Sequence, residues 1–593
     1  MLCVAFANTS EAMSSVKKPA PSGEQLDREF HAQLGKMTAG LAPSAYMTAW
    51  TDWATHLMSS PAKQLELQQD AWKRAADTWT FATQAMLGQP ISPTAGLDTD
   101  ADPRFASDAW SQFPFNVYAR VYQQSAALAR ESVRDVGGVT EYHSDLVGFA
   151  VRQMLDATSP ANYLASNPEL LAITKAEGGQ NLARGFQNLM DDVQRTLNGD
   201  APAGTENFEV GKTLAVTPGK VIFRNDLIEL IQYSPTTPEV YAEPILIVPA
   251  WIMKYYVLDL SPKNSLIKYL VGQGHSVFVI SWKNPTAADR EFGMDDYLRQ
   301  GLRAALDAVA AVVPQRKVHA VGYCIGGTLL AIGAAALARE HDERIGSVTM
   351  FAAQTDFSEP GELALFINPS QLAMLEATMH KEGVLDSRKM GGAFQMLRPQ
   401  DLIWQPAINS YLKGNRDAMI DLMAWNADGT RMPYRMHTEY LYRLYLDNEL
   451  ATNRFPVDDK PIRLSDIRLP MFVVGTETDH VAPWKSVYKI DNLVRSDDFS
   501  FLLTSGGHNA GIVCGPVHPK RHHRLATRRL ADPHLAADDW FAETPVAAGS
   551  WWPAWAKWLA DHSSGRVAPP VLGAAERGYA VIEDAPGTYV REK

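Results

Sequence analysis

The chain has 593 residues, 46% hydrophobic and 21% charged, too long for one ordinary domain and too apolar to stay disordered. Lys and Arg number 55 against 67 Asp and Glu, a net charge of −12, which argues against general nucleic-acid binding. The three cysteines, Cys3, Cys324 and Cys514, form neither a disulfide framework nor a zinc-ligand spacing, so a reducing cytoplasm and no metal site are expected.

Residues 1–7 are apolar but short and lack a basic flank, which makes a poor signal peptide, and Met13 is an alternative start. No stretch approaches the ~20 apolar residues of a transmembrane segment. Residues 1–204 read as a mainly helical domain. Tyr46, Trp50, Trp53 and Leu57 recur at helical spacing, and Leu65, Trp72, Ala76 and Trp79 continue the pattern after Pro61. These tryptophans are read as packing residues, or alternatively as a docking face for a partner or an apolar surface. A Gly/Pro/Ser/Asp-rich loop spans 88–103, further helices are expected over 117–133, 144–155 and 168–197, and 198–204 is a boundary.

Residues 205–593 change character. Runs at 220–224 and 227–233 flank Asn225-Asp226 as a hairpin. Continuous apolar runs at 245–248, 277–280, 318–321, 347–351 and 471–474, with helical patterns between several, such as 297–313, indicate a doubly wound α/β sheet. The rhythm breaks over about 352–466, which is helical in flavour and rich in Met, Trp and Tyr, and is read as an inserted cap. The basic cluster Lys520, Arg521, His522, His523, Arg524, Arg528 and Arg529 is read as a solvated surface segment rather than a phosphate site.

The most informative stretch is Val318 to Gly327, where a strand runs into Gly322-Tyr323-Cys324-Ile325-Gly326 and a small-residue helix leaves it. This is a nucleophile elbow with Cys in place of Ser, the mark of an α/β-hydrolase fold. The residues two before and two after the nucleophile nearly touch, hence Gly322 and Gly326. Cys324 then sits at a helix N-terminus, whose dipole favours a thiolate, and the Ile325 N–H faces a developing oxyanion. The second oxyanion donor comes from the loop after the first core strand, from Trp251 or Ile252.

In this fold the acid and base follow the nucleophile along the chain. Asp479 occupies the loop after the 471–474 strand, with Glu477 its rival. His508 stands in Gly506-Gly507-His508 after the apolar run 499–503, with His480 as the competing base. Cys514 reads as an inert buried thiol.

With those loops in place, the sequence resembles the class I polyhydroxyalkanoate synthases. The likeness extends to Asp102-Pro103-Arg104-Phe105, Ile252 through Leu260, Ser281 through Pro285, Leu397 through Trp404, Gly549 through Pro553 and Asp584 through Val590. It implies polymerisation of short-chain (R)-3-hydroxyacyl-coenzyme A, most simply 3-hydroxybutyryl-coenzyme A, with coenzyme A released and an acyl group held on Cys324. His508 is the implied base, and Asp479 either orients it or activates the hydroxyl. The resemblance further implies no cofactor, a homodimer, and a cytoplasmic enzyme attached to polyester granules, with granule-associated proteins as possible partners.

A cap bearing Trp404, Trp425, Tyr434, Tyr440 and Tyr442 would keep water from the acyl-enzyme. Arg398 either faces coenzyme A phosphates or pairs with a local carboxylate. Departures from the family pattern are Ala250, Met253 and the loop Asn509-Ala510-Gly511-Ile512-Val513-Cys514. The rival readings are a Cys thioesterase or hydrolase of the same fold, and a granule-associated scaffold.

Overall fold

A computed structural model describes residues 42–88, 91–95, 102–518 and 520–593, with a few positions between 23 and 31. The readings made on residues 1–7, on Cys3 and on Met13 lie outside the described residues.

Helices α1 (Pro43–Met58) and α2 (Pro61–Met86) each begin on proline, whose missing N–H is no loss in a first turn. They are followed by α3 (Phe115–Val133) and α4 (Glu141–Thr158). The single helix expected over 168–197 is two, α5 (Pro168–Ala176) and α6 (Gln180–Asn198). Between them Gly178 and Gly179 adopt φ of 56° and 87°, a left-handed turn that a continuous helix cannot contain.

The tryptophans divide. Trp50 and Trp53 pack edge to face at 5.2 Å, and Trp53 Nε1 donates to Ser132 O at 3.0 Å. Trp72 and Trp79 are 72% and 77% exposed, so they are not packing residues within the chain. With Leu65 and Met86 they form an exposed stripe along α2 at seven-residue intervals.

Eleven strands make the main sheet: β1 (Gly219–Arg224), β2 (Ile228–Tyr233), β3 (Ile245–Val248), β4 (Val277–Trp282), β5 (Val318–Tyr323), β6 (Ile345–Phe351), β7 (Met471–Thr476), β8 (Phe499–Thr504), β9 (His522–Arg528), β10 (Val546–Ala548) and β11 (Glu583–Asp584). Their order is β10-β9-β8-β7-β6-β5-β3-β4-β2-β1-β11. The six from β3 to β8 run parallel, and the flanking strands are antiparallel.

Buried on both faces, the parallel strands read as apolar runs rather than alternations. Leu246, Val248, Phe278 and Ile280 point into one core, while Ile245, Ile247, Val277 and Val279 point into the other, as period-two geometry requires. The order reverses between β5 and β3, which opens a crevice at the carboxyl ends of those strands.

The basic cluster is corrected by β9. It pairs with β8 from His523 to Arg528 as a strand of the sheet, and Arg528 is held by Asp491 with Nε at 2.9 Å from Oδ1. Only His523 in it is buried; long cationic side chains on a near-edge strand hide the alternation a strand usually displays.

The segment 352–466 joins β6 to β7 and carries helix Pro369–Glu382, a two-stranded pair of Val384–Leu385 with Met432–Pro433, and helix Tyr434–Tyr440 running into a π-helix, Leu441–Leu446. The N-terminal helices rest on this insert. Among the described residues, the hydrogen bonds and ion pairs joining them to the rest of the chain all end between Glu362 and Arg416. Gly185 of α6 lies so close to the Tyr411 backbone that a Cβ there would collide with it. No described helix is long and apolar enough to cross a membrane.

Candidate active site

β5 ends at Tyr323, and Cys324 caps the following helix, α7 (Ile325–Arg339), with φ 54° and ψ −130°. Non-glycine residues rarely adopt such angles, and here they turn the chain from strand to helix within one residue. Both glycines of the motif are required by close approach. A Cβ on Gly322 would strike Gly327, and one on Gly326 would strike the carbonyls of Val248 and Pro249.

Cys324 is half-buried. Its N–H donates to Phe351 O at 2.8 Å, tying the turn to β6. The Ile325 N–H, first of the helix, has no acceptor among the described residues, and neither has that of Trp251 or Ile252. Trp251 itself is buried against Trp282 and Tyr297. Its carbonyl accepts from Thr430 Oγ1 at 2.5 Å, so the loop after β3 is fastened to the insert.

The loops after β7 and β8 bring the acid and base to this turn. His508 Nδ1 lies 2.7 Å from Asp479 Oδ2, and the ring interacts electrostatically with Cys324. Asp479 is in turn fixed by Thr476 Oγ1 at 2.8 Å and by the N–H groups of Val481 and Ala482, both at 2.9 Å. Burial opposes its charge, but His508 and these donors together hold the carboxyl below the usual range. Burial likewise opposes the imidazolium, and Asp479 and Cys324 outweigh it, so His508 is raised well above 6.5.

The rivals are placed elsewhere. Glu477 engages His522 Nε2 at 3.0 and 3.1 Å. His480 Nδ1 is buried without a partner, and burial lowers this ring's proton affinity. Cys514 is buried, and burial pushes its thiol up. Arg398 pairs with Asp401, with Nη2 at 2.7 Å, the local-carboxylate alternative.

Of the five aromatics expected over the site, Tyr440 interacts electrostatically with Cys324. Trp425 instead sits in the core on the other face, its Nε1 donating to Lys254 O at 2.7 Å. Sequence reasoning missed Tyr445, which also interacts electrostatically with Cys324, packs its ring on Tyr440 and is pushed up to about 12 by burial. The two lie five apart where the helix widens to i→i+5 bonding, a spacing that an α-helical reading separates. With Phe357 they form a ring cluster at centroid distances of 4.8 to 6.3 Å. Among the described residues, no group of three His, Cys, Asp or Glu side chains is placed to hold a metal ion.

Comparison with known proteins agrees with this architecture. The chain is 39% identical to a poly(3-hydroxyalkanoate) polymerase of Methylorubrum extorquens, covering 100% of this chain and 96% of the relative. The chain belongs to the poly(3-hydroxyalkanoate) polymerase family. A polymerase subunit PhaC of Rhizobium meliloti (strain 1021) is 36% identical, over 96% of this chain and 94% of its own. That of Cupriavidus necator is 35% identical, over 90% and 89%.

The family models describing the poly-beta-hydroxybutyrate polymerase (PhaC) N-terminus and the poly-beta-hydroxybutyrate polymerase N terminal match residues 101–270 and 22–63, and the alpha/beta hydrolase fold matches 243–513. Among solved structures, a monoacylglycerol lipase of Paleococcus ferrophilus overlays at a TM-score of 0.33 with 12% identity, over 57% of this chain and 99% of its own. As a member of the polymerase family, this chain is an acyltransferase on an α/β-hydrolase fold.

Proposed function

We propose that the enzyme polymerises short-chain (R)-3-hydroxyacyl-coenzyme A, with 3-hydroxybutyryl-coenzyme A its simplest substrate, through an acyl group carried on Cys324. The observation that carries this reading is the line Cys324–His508–Asp479 at the reversal point of the sheet, in a chain of the polymerase family.

His508 takes the Cys324 proton as the sulfur attacks the thioester carbonyl. The oxyanion is met by the Ile325 N–H and by that of Trp251 or Ile252. Collapse of the intermediate expels coenzyme A, which leaves as the thiol with the proton from His508. The 3-hydroxyl of a second unit or growing chain then gives its proton to His508 and attacks the acyl-cysteine; the acyl C–S bond breaks, His508 returns the proton to the Cys324 sulfur, and the polyester is longer by one ester. Asp479 is read as orienting the imidazole, since its carboxylate is fully buried against Nδ1. The chemistry calls on no cofactor; coenzyme A enters with the substrate and departs as product.

Water competes with the hydroxyl at the acyl-cysteine, and the Phe357–Tyr440–Tyr445 cluster supports a polymerase over a thioesterase. The exposed stripe on α2 supports attachment to an apolar polyester granule in the cytoplasm. Homodimer formation and contact with granule-associated proteins belong to the same reading and rest on the family relationship.

The test measures coenzyme A release from (R)-3-hydroxybutyryl-coenzyme A and weighs insoluble product, for wild type and Cys324→Ala. Both signals are expected in wild type and neither in the variant. Coenzyme A release with only soluble hydroxyacid would make the protein a thioesterase.

A further inference from the structure

Tyr323 and Asn509 are the chain neighbours of the two reacting groups, one directly before Cys324 and the other directly after His508. The Tyr323 hydroxyl donates to Asn509 Oδ1 and lies 3.4 Å from His508 O. Its ring stacks on the His508 imidazole, with centroids 5.7 Å apart and planes 24° from parallel. Asn509 is itself anchored, for its carbonyl accepts from Ile512 N at 3.1 Å and Val513 N at 2.8 Å.

We propose that Tyr323 and Asn509 are a positioning pair that fixes the separation of Cys324 and His508 by fastening the end of β5 to the loop after β8. The inference rests on the reading of Cys324 as nucleophile and His508 as base. The Asp479 bond holds the imidazole at one atom and leaves rotation about that bond open. The Tyr323 ring against its face and the hydroxyl on its loop remove that freedom. Proton transfer between sulfur and nitrogen depends steeply on their separation, so a small relaxation is costly.

Tyr323 is fully buried, and burial together with the nearby Cys324 and Asp479 keeps its phenol protonated, hence a donor, across the working range. A tyrosine that merely filled space would be replaced by phenylalanine without consequence, because the ring and its stacking survive.

The experiment uses the full chain carrying Tyr323→Phe, Asn509→Leu and both together. Two readouts are followed: coenzyme A release from (R)-3-hydroxybutyryl-coenzyme A, and the pH–rate profile of Cys324 alkylation by iodoacetamide, located by peptide mass spectrometry. Each single variant is expected to lower kcat by about three- to tenfold with KM within about twofold, and to displace the alkylation profile. The double variant is expected to match the worse single, because either change opens the same bond.

Single variants with wild-type kcat and an unmoved alkylation profile would overturn the proposal. So would a double variant whose loss is the product of the two singles. Alkylation needs no substrate, so an enzyme that released no coenzyme A would discard the proposed reaction while the profile still judged the pair. Thermal unfolding of each variant shows whether a lost kcat reflects a lost fold. If Asn509→Leu does not fold, Tyr323→Phe, which removes a single oxygen, decides alone.

Discussion

Asp479 Oδ2 stands 2.7 Å from His508 Nδ1, while Glu477, two residues earlier on the same loop, turns its carboxylate to His522. Successive side chains at the end of a strand point to opposite sides, but 477 and 479 share a parity, so alternation alone does not separate them. The loop does. Thr476 and the Val481 and Ala482 N–H groups converge on Asp479 and hold it inward.

Asp479→Asn should therefore lower kcat by about three orders of magnitude with the fold retained, since an amide favours the wrong imidazole tautomer. Glu477→Gln should leave kcat within about threefold. Steady-state coenzyme A release from the two variants checks both values.

At the elbow, Gly326→Ala is expected to abolish activity and destabilise the protein by about 3 kcal/mol, because its methyl would overlap the Val248 and Pro249 carbonyls. Denaturant unfolding followed by tryptophan fluorescence gives the number.

Acid should destabilise the protein through two rings distant from the loops after β7 and β8. Burial holds His275 to about 3 and His319 to about 4, against 6.5 when free. Below 6.5 the unfolded chain binds these protons and the folded chain does not, so stability falls as the pH drops from 6.5 towards 4 and 3. Both His275 ring nitrogens lack partners, and the ring stacks on Tyr241 at 4.6 Å. His275→Phe should keep that stack and flatten the decline in Tm between pH 7 and pH 5. An unchanged decline would assign the acid sensitivity to other groups. His508 acts with the opposite sign, its contribution being full below 6.5 and lost as pH rises through its folded value.

Opening the aromatic cover should divert the acyl group to water. Tyr440→Ala is expected to raise the share of free 3-hydroxybutyrate among products several-fold, while Tyr440→Phe keeps the polymer share. Chromatography of soluble product against weighed polymer measures the partition.

Changing the α2 stripe should separate attachment from chemistry. Trp72→Ser with Trp79→Ser is expected to lower the enzyme fraction that sediments with polyester granules, with kcat on soluble substrate unchanged. Equal sedimentation of variant and wild type would exclude the stripe as the attachment face.

Much of this was legible in the chain itself. The parallel strands announced themselves because burial on both faces demands unbroken apolar runs, and the elbow because its glycines are forced by backbone contact. Other features depend on contacts formed only after folding. The contacts that turn Asp479 inward, from Thr476 and the Val481 and Ala482 N–H groups, are one, and the partnership of Tyr440 with Tyr445 across a π-helical turn is another. Strand β9 was hidden by its arginines, whose length lets them occupy a sheet position and still reach water.

Among the described residues, the N-terminal helices are braced on the insert through α4 and α6 and make no hydrogen bond to the strands, with Tyr142 bonded to Leu365 O and Arg416 to Asp191 and Asp192. The sheet is thus spared any load they carry. A force drawn on the outward tryptophans of α2 would be borne first by the roof above the thiol, leaving the floor that holds Cys324 and His508 in register.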